Sequence, residues 1–263
     1  MVATYEVFAI CYAHLERTAR HNFLGGDEHD RPMPLDYYVW AIVNSDRTVI
    51  VDTGFDEIAA RRRGRQIVRP VAEGLKAIGI SPDGVEHIVI SHMHYDHAGN
   101  QDLFPRARYH LQDAEMAYCT GRCMGDSDVG GVFDADAVSA MIHKVFAGRV
   151  QFHDGDDEIA PGITVHKVGG HTRGMQIVRV ATQRGWVVLG SDSAHFYANL
   201  EPGRPFPILD NLPAYVEAQR TALRLASSPR HFIPGHDPLV LARYPSAKPG
   251  LEGVARLDLA PLA

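Results

Sequence analysis

Three histidines and an aspartate stand within six residues, at His92, His94, Asp96 and His97, in the pattern H-x-H-x-D-H. Imidazole nitrogen and carboxylate oxygen are ligands that Zn2+ accepts, and four of them at this spacing suit two adjacent ions. His92 and His94, two apart on extended backbone, point to the same side. Asp96 and His97 turn toward a second point as the chain bends into Ala98-Gly99. Just upstream, Glu86-His87-Ile88-Val89-Ile90 is a short β-branched run that reads as a buried strand. The motif therefore lies on the loop leaving a strand, where rigid scaffolds tend to carry chemistry.

Acidic and imidazole side chains recur where other strands end. His171 follows Val168-Gly169-Gly170, whose glycines let backbone approach a metal closely. Asp192 follows the apolar run Trp186 to Leu189 through Gly190-Ser191, and His236 follows Phe232-Ile233-Pro234-Gly235. With the first motif these make seven potential ligands: His92, His94, Asp96, His97, His171, Asp192 and His236. A further carboxylate, Asp52, closes the run Thr48 to Val51 and precedes Thr53-Gly54.

The elements that must position these groups alternate between strand and helix. Strands are expected at Tyr5–Tyr12, Tyr37–Val43, Thr48–Val51, Ala107–Leu111, Val150–His153, Ile163–Val168, Gln176–Ala181, Trp186–Leu189 and His231–Ile233. Helices are expected at Pro70–Ile78, from an Asp113 cap to about Thr120, at Asp134–Phe146 and at Pro213–Ala226. Two irregular stretches, His14–Leu35 and Gly121–Val132, are long for loops of a compact domain. Phe23, Leu24, Met33, Val132 and Phe133 within or beside them are candidate pocket walls. The succession reads as α/β, with two sheets face to face and helices outside. Residues 1–244 are read as one domain and 245–263, rich in Gly, Pro and Ala, as a loose or surface-packed tail.

The chain has 263 residues, 45% apolar and 22% charged, which is ordinary for a globular protein. A net charge of −6 speaks against a nucleic-acid partner. The one basic cluster, Arg61-Arg62-Arg63-Gly64-Arg65, reads as a solvated helix end or loop. Cys11, Cys119 and Cys123 read as reduced thiols rather than a disulfide framework. No apolar run reaches membrane-spanning length, and the start of the chain lacks the build of a signal peptide. No membrane association is expected, and a cytoplasmic location is.

The pieces H-x-H-x-D-H, G-G-H-T, an Asp after a strand, and P-G-H-D, in this order, resemble the metallo-β-lactamase superfamily. Within it the chain is most similar to the N-acyl-homoserine lactonase family of dinuclear metal hydrolases, from about Tyr37 to Asp237. The resemblance implies an αββα sandwich of two mixed sheets, with the metals at one edge. His92, His94 and His171 would hold one divalent ion and Asp96, His97 and His236 the other, with Asp192 bridging. Asp52 would orient a histidine by accepting its remaining N–H. A hydroxide between the ions would attack a lactone or another small ester, thioester or cyclic amide. Zinc heads the candidates, and manganese, cobalt or iron also suit the ligand set. The expected partner is a small lactone or ester, and the chain a monomer or homodimer.

One position departs from that family. Three residues after the bridging Asp, where those lactonases carry a tyrosine that holds the substrate carbonyl, this chain has His195, with Tyr197 two further on. His195 would donate the same hydrogen bond or act as a general acid; alternatively Tyr197 takes the role. Related hydrolases fit less well. Glyoxalase II relatives add a helical region after the last ligand, the commonest β-lactamase pattern needs a Cys ligand, and RNase Z needs a basic surface. Redox di-iron relatives replace the second motif histidine with Glu, whereas this chain has His94.

Overall fold

Alternation of apolar side chains builds the first layer. The structure, a computed structural model, describes residues 2–262. Strand β1 (Glu6–Leu15) sends Val7, Ala9 and Cys11 to one face and Phe8, Ile10 and Tyr12 to the other, and all six are buried. The next strand, β2 (Leu35–Val43), repeats the pattern, with Tyr38, Trp40 and Ile42 against Tyr37, Val39 and Ala41. Strands buried on both faces belong between two covering layers.

The elements follow in order. Strand β3 (Thr48–Val51) pairs antiparallel with β2; then come helix α1 (Glu57–Arg63), β4 (Gln66–Ile67), α2 (Val71–Ala77) and β5 (His87–Val89). Next are β6 (Arg108–Gln112), α3 (Asp113–Cys119), α4 (Ser127–Gly130), α5 (Ala135–Phe146) and β7 (Val150–His153). The second half holds β8 (Asp157–Ala160), β9 (Ile163–Lys167), β10 (Gln176–Thr182), β11 (Gly185–Leu189), α6 (Leu212–Leu225), β12 (Phe232–Ile233), α7 (Leu239–Arg243) and β13 (Val254–Arg256).

The strands form two mixed sheets. The larger runs β13-β1-β2-β3-β5-β6-β7, with β4 also paired to β1; the smaller runs β12-β11-β10-β9-β8. One apolar cluster joins them face to face, drawing Val7, Trp40, Val49 and Val89 from the larger sheet and Val165, Val178, Val187 and Leu189 from the smaller. A second lies between the larger sheet and its helices, and a third packs Ile177, Val188 and Phe232 against Ala222 of α6. The α/β, αββα layering expected from the sequence is what the chain adopts. Helix α6 shows why its face is inside: Tyr215, Ala218, Gln219 and Ala222 recur at helical spacing and are buried, while Asn211 caps Ala214 N at 2.9 Å. No helix among the described residues is long and apolar enough to cross a membrane.

Several expectations are corrected. Of the two readings of the C-terminal stretch, the loose one fails over residues 245–262, because β13 pairs with β1 at the sheet edge and buries Val254, Ala255 and Leu257. Asp113 opens α3 rather than capping it; the cap position is Gln112. Phe146 lies outside the buried stripe of α5 and is 89% exposed. The stretch 121–132 contains a 3-10 turn and α4. Helix α1 has no sequence-expected counterpart, since only Ala59 and Ala60 are buried. Its signals were an Asp56 side-chain cap on Ala59 N and Gly64 in the left-handed conformation at its end.

Candidate metal centre

All seven proposed ligands are buried, and each stands at the end of a strand. The 92–97 loop leaves β5 in the larger sheet, while His171, Asp192 and His236 follow β9, β11 and β12 in the smaller. His92, His94, His171 and Asp192 offer ligand atoms within 4.8 Å of one another, and so do Asp96, His97 and His236. Asp192 faces both groups. Its Oδ2 is 3.2 Å from His171 Nε2 and 3.7 Å from His92 Nε2, and its Oδ1 is 3.1 Å from His236 Nε2 and 3.4 Å from His97 Nε2.

The far nitrogen of three of the five rings is held by an acceptor, which fixes their tautomers. His97 Nδ1 donates to Asp52 Oδ2 at 2.7 Å, His171 Nδ1 to the Ile208 carbonyl at 2.8 Å, and His236 Nδ1 to the Asp36 carbonyl at 2.8 Å. Their Nε2 atoms therefore turn bare lone pairs inward. His92 Nε2, His97 Nε2, His236 Nε2 and Asp192 Oδ1 are buried and find no hydrogen-bond partner. Lone pairs facing one another without a proton or donor repel, and cations among them remove the repulsion. The donor set fits divalent metal ions.

The carboxylates and the crowded imidazoles pull the rings in opposite directions. Burial opposes charge on His97 and His236, yet Asp192 and Asp96 lift both above the ordinary imidazole range. Burial and the neighbouring histidines hold His92 and His94 well below it. Burial would raise Asp192, but the imidazoles around it hold its carboxyl far below the usual range.

The backbone around the centre is specialised. Asp52 and Ser191 have φ of 63° and 42°, a conformation that non-glycine residues seldom adopt and that concentrates at functional sites. Asp52 is fully buried and also accepts from Ser91 N at 2.7 Å and Ser91 Oγ at 2.8 Å. Two glycines are required by close approach. A Cβ on Gly235 would stand 2.6 Å from Asp192 Oδ1, and one on Gly170 2.4 Å from the Tyr215 backbone.

Sequence reasoning missed Glu115. An acidic residue in the first turn of α3, it is fully buried and accepts from Met93 N at 2.8 Å, Thr172 Oγ1 at 2.6 Å and Gly174 N at 3.0 Å. It thereby ties the 92–97 loop to the His171 loop. Burial pushes its pKa up against those three donors.

A cavity of about 80 Å3 opens over the centre. His195 lines it, its ring stacked on Phe206 at 3.4 Å and its Nε2 3.1 Å from Asp192 Oδ2. Burial lowers its pKa to about 3, so the ring is neutral and ready to donate a hydrogen bond rather than act as a cationic acid. Tyr197 is not brought to the centre. Its ring lies under the Arg243 guanidinium at 4.1 Å and lines a different cavity with Leu200 and Tyr244, because the turn after Phe196 carries it away. Of the expected walls, Val132 lines the cavity and the Phe133 ring meets His94 edge-on at 4.6 Å. Phe23 packs under Arg204, Met33 packs on the core, and Leu24 is exposed. The basic cluster is not wholly solvated either: Arg63 and Arg65 join Arg17, Tyr37 and Tyr95 in the wall.

Comparison with known proteins meets this geometry. The sequence profile of the metallo-beta-lactamase superfamily matches residues 33–236, the span that holds every proposed ligand. The chain belongs to the metallo-beta-lactamase superfamily. As a member it is a metal-dependent hydrolase. It is 26% identical to an N-acyl homoserine lactonase of a Bacillus species, over 67% of this chain and 72% of that one. An N-acyl homoserine lactonase of Agrobacterium fabrum is 28% identical over 60% and 63% of the respective chains. Two crystal structures share the fold. A quorum-quenching N-acyl homoserine lactone lactonase superposes with a TM-score of 0.74 at 20% identity, covering 91% of this chain and 95% of that one. A probable metal-dependent hydrolase of Staphylococcus aureus gives 0.76 at 15% identity, covering 100% and 97%.

Proposed function

We propose that this protein opens a carboxylic ester bond, most readily that of a lactone ring, at a centre of two divalent ions. The observation that carries the reading is Asp192, whose two oxygens each approach two imidazoles of a different group. His92, His94 and His171 would hold one ion and Asp96, His97 and His236 the other, with Asp192 placed to serve both. Zinc is the first candidate, with manganese, cobalt or iron compatible with the same nitrogens and oxygens. Such a pair of ions, when bound, activates water and polarises a carbonyl at neutral pH.

The chain's own groups do the rest. Asp52, the Ile208 carbonyl and the Asp36 carbonyl hold three ring N–H groups and keep their Nε2 atoms free for the ions. His195, neutral and fixed on Phe206, donates to the carbonyl oxygen as charge develops there. Tyr37 and Tyr95, their hydroxyls 3.2 Å apart, wall the opposite side and limit the water that reaches the ring. Residues 2–262 act as one hydrolase domain. The lactonase relatives support the substrate class, while another small ester, thioester or cyclic amide is the second reading.

The deciding experiment is hydrolysis by the metal-loaded protein of lactones of graded size beside a thioester, a cephalosporin and a phosphodiester. Lactone turnover well above the others is expected. Preference for the thioester or cephalosporin would replace the lactone reading with the second one.

A further inference from the structure

The wall of the cavity carries three arginines, Arg17, Arg63 and Arg65, opposite the histidine and aspartate centre. None of them pairs with a carboxylate within 4.0 Å among the described residues, although the neighbouring Arg62 pairs with Asp134 on the surface. Arg63 lays its guanidinium 3.9 Å over the Tyr95 ring and donates to the Gly131 and Phe133 carbonyls, both at 2.9 Å. Its Nε is buried without a partner. Arg65 donates from Nε to the Tyr95 hydroxyl at 3.1 Å and from Nη1 to the Arg63 carbonyl at 2.6 Å, which leaves its second terminal nitrogen free. Arg17 has one hydrogen bond, to the His21 carbonyl, and lies 5.4 Å over Phe206, the ring that supports His195. Burial, with the charge of Arg65 adding to it, draws Arg17 below the usual guanidinium range.

Holding the partly buried Arg17 cation beside Arg65, with no anion paired to it, costs free energy that the fold does not recover by itself. The carboxylates of the cavity, Asp96 and Asp192, face imidazoles instead. Guanidinium forks match the geometry of a carboxylate or a similar oxyanion, and the partial exclusion of solvent in the cavity strengthens that attraction. A neutral acyl lactone would leave this charge unanswered.

We propose that Arg17 and Arg65, braced by Arg63, bind an anionic group of the substrate, so that the preferred lactone or ester carries a carboxylate close to its reacting carbonyl. The proposal rests on the hydrolase reading above and narrows it. Arg17 is the freest of the three and sets the preference; Arg65 acts with it while also holding Tyr95.

The test compares two γ-lactones that differ only in charge, 5-oxotetrahydrofuran-2-carboxylate and its carboxamide. Water adds across the ring ester of the first to give 2-hydroxyglutarate. The readout is the ratio of kcat/KM for the two, in which general damage to the enzyme cancels. The unmodified protein should favour the carboxylate by roughly tenfold or more, the scale of one charge-assisted hydrogen bond. Arg17→Gln and Arg65→Gln should each collapse the ratio toward unity, Arg17→Lys should keep part of it, and Arg62→Gln should leave it intact. Equal use of both lactones, or a ratio that survives Arg17→Gln, overturns the proposal and leaves the lactone reading standing. If neither lactone is opened, calorimetric binding of 2-hydroxyglutarate to the zinc-loaded protein decides the matter. Binding that weakens about tenfold in Arg17→Gln upholds the arginine site without the lactone. Absent or unaltered binding overturns it.

Discussion

Asp52→Asn changes one oxygen to nitrogen, and the structure says which one. Asp52 Oδ1 accepts from the backbone N–H of Ser91 at 2.7 Å, a donor that cannot be reversed. The amide oxygen must stay there, so the NH2 takes the other position, facing His97 Nδ1 at 2.7 Å and Ser91 Oγ at 2.8 Å. The hydroxyl can rotate to accept. The imidazole can accept only by moving its proton to Nε2, the nitrogen 3.4 Å from Asp192 and 3.6 Å from Asp96. His97 then no longer presents a lone pair to its ion. Replacing a group that orients a ligand typically weakens metal binding by about 10–100-fold, or roughly 1.4–2.7 kcal/mol. Competition against a chromophoric chelator should show one of two zinc ions weakened by that factor and the other held nearly as before. Circular dichroism of the metal-free variant checks that it still folds. Native affinity for both ions in a folded Asp52→Asn protein would refute the argument.

Four further outcomes are expected. Asp192→Ala should lose both ions on dialysis, because one carboxylate serves both groups; elemental analysis showing a single retained ion would deny it the bridging position. His195→Ala should lower lactone turnover by roughly 10²–10³-fold with metal content unchanged, as loss of one oxyanion donor does. Tyr197→Phe should leave turnover as it was, since that ring sits in a different cavity, and steady-state kinetics with metal analysis reads both. Acid stability should fall as pH drops from about 6.5 toward 3. His110, 2% exposed between His87 and His153, has its pKa lowered to about 3 by burial, so below the unfolded imidazole value only the unfolded chain takes the proton. Its contribution to the slope is at most about 1.4 kcal/mol per pH unit, and urea unfolding of His110→Phe should show that slope reduced.

The ligand set was legible because metal chemistry confines it to few residue types, grouped where β-rich runs end. The strands were legible for a related reason: residues such as Val7 to Tyr12 alternate on a sheet covered on both sides. What was missed depends on distance in space. Glu115 looks like any acidic residue in a first helical turn, and only the meeting of the 92–97 and 171–174 loops reveals its three donors. Arg63 and Arg65 resemble a solvated helix end until Tyr95, 30 residues away from Arg65, is seen beneath them. The C-terminal strand is three residues long and lies among turn-forming residues, so its β character comes from pairing with β1 rather than from its own composition. Tyr197 was misplaced because a turn of 3-10 helix rotates side chains in a way that spacing alone does not convey.

The two layers of the sandwich contribute ligands to the same centre, and this has a consequence for how the protein holds its ions. With ions in the proposed positions, each is bonded to the 92–97 loop on one layer and to Asp192 on the other. The ions are then rivets through a seam whose apolar part is the packing of Trp40, Val49 and Val89 on Val165, Val187 and Leu189. Prying the layers apart means breaking metal bonds, and freeing an ion means opening the seam, so each process slows the other. Metal loss becomes a form of unfolding, and its rate is set by the fold as much as by the chelator that receives the ion.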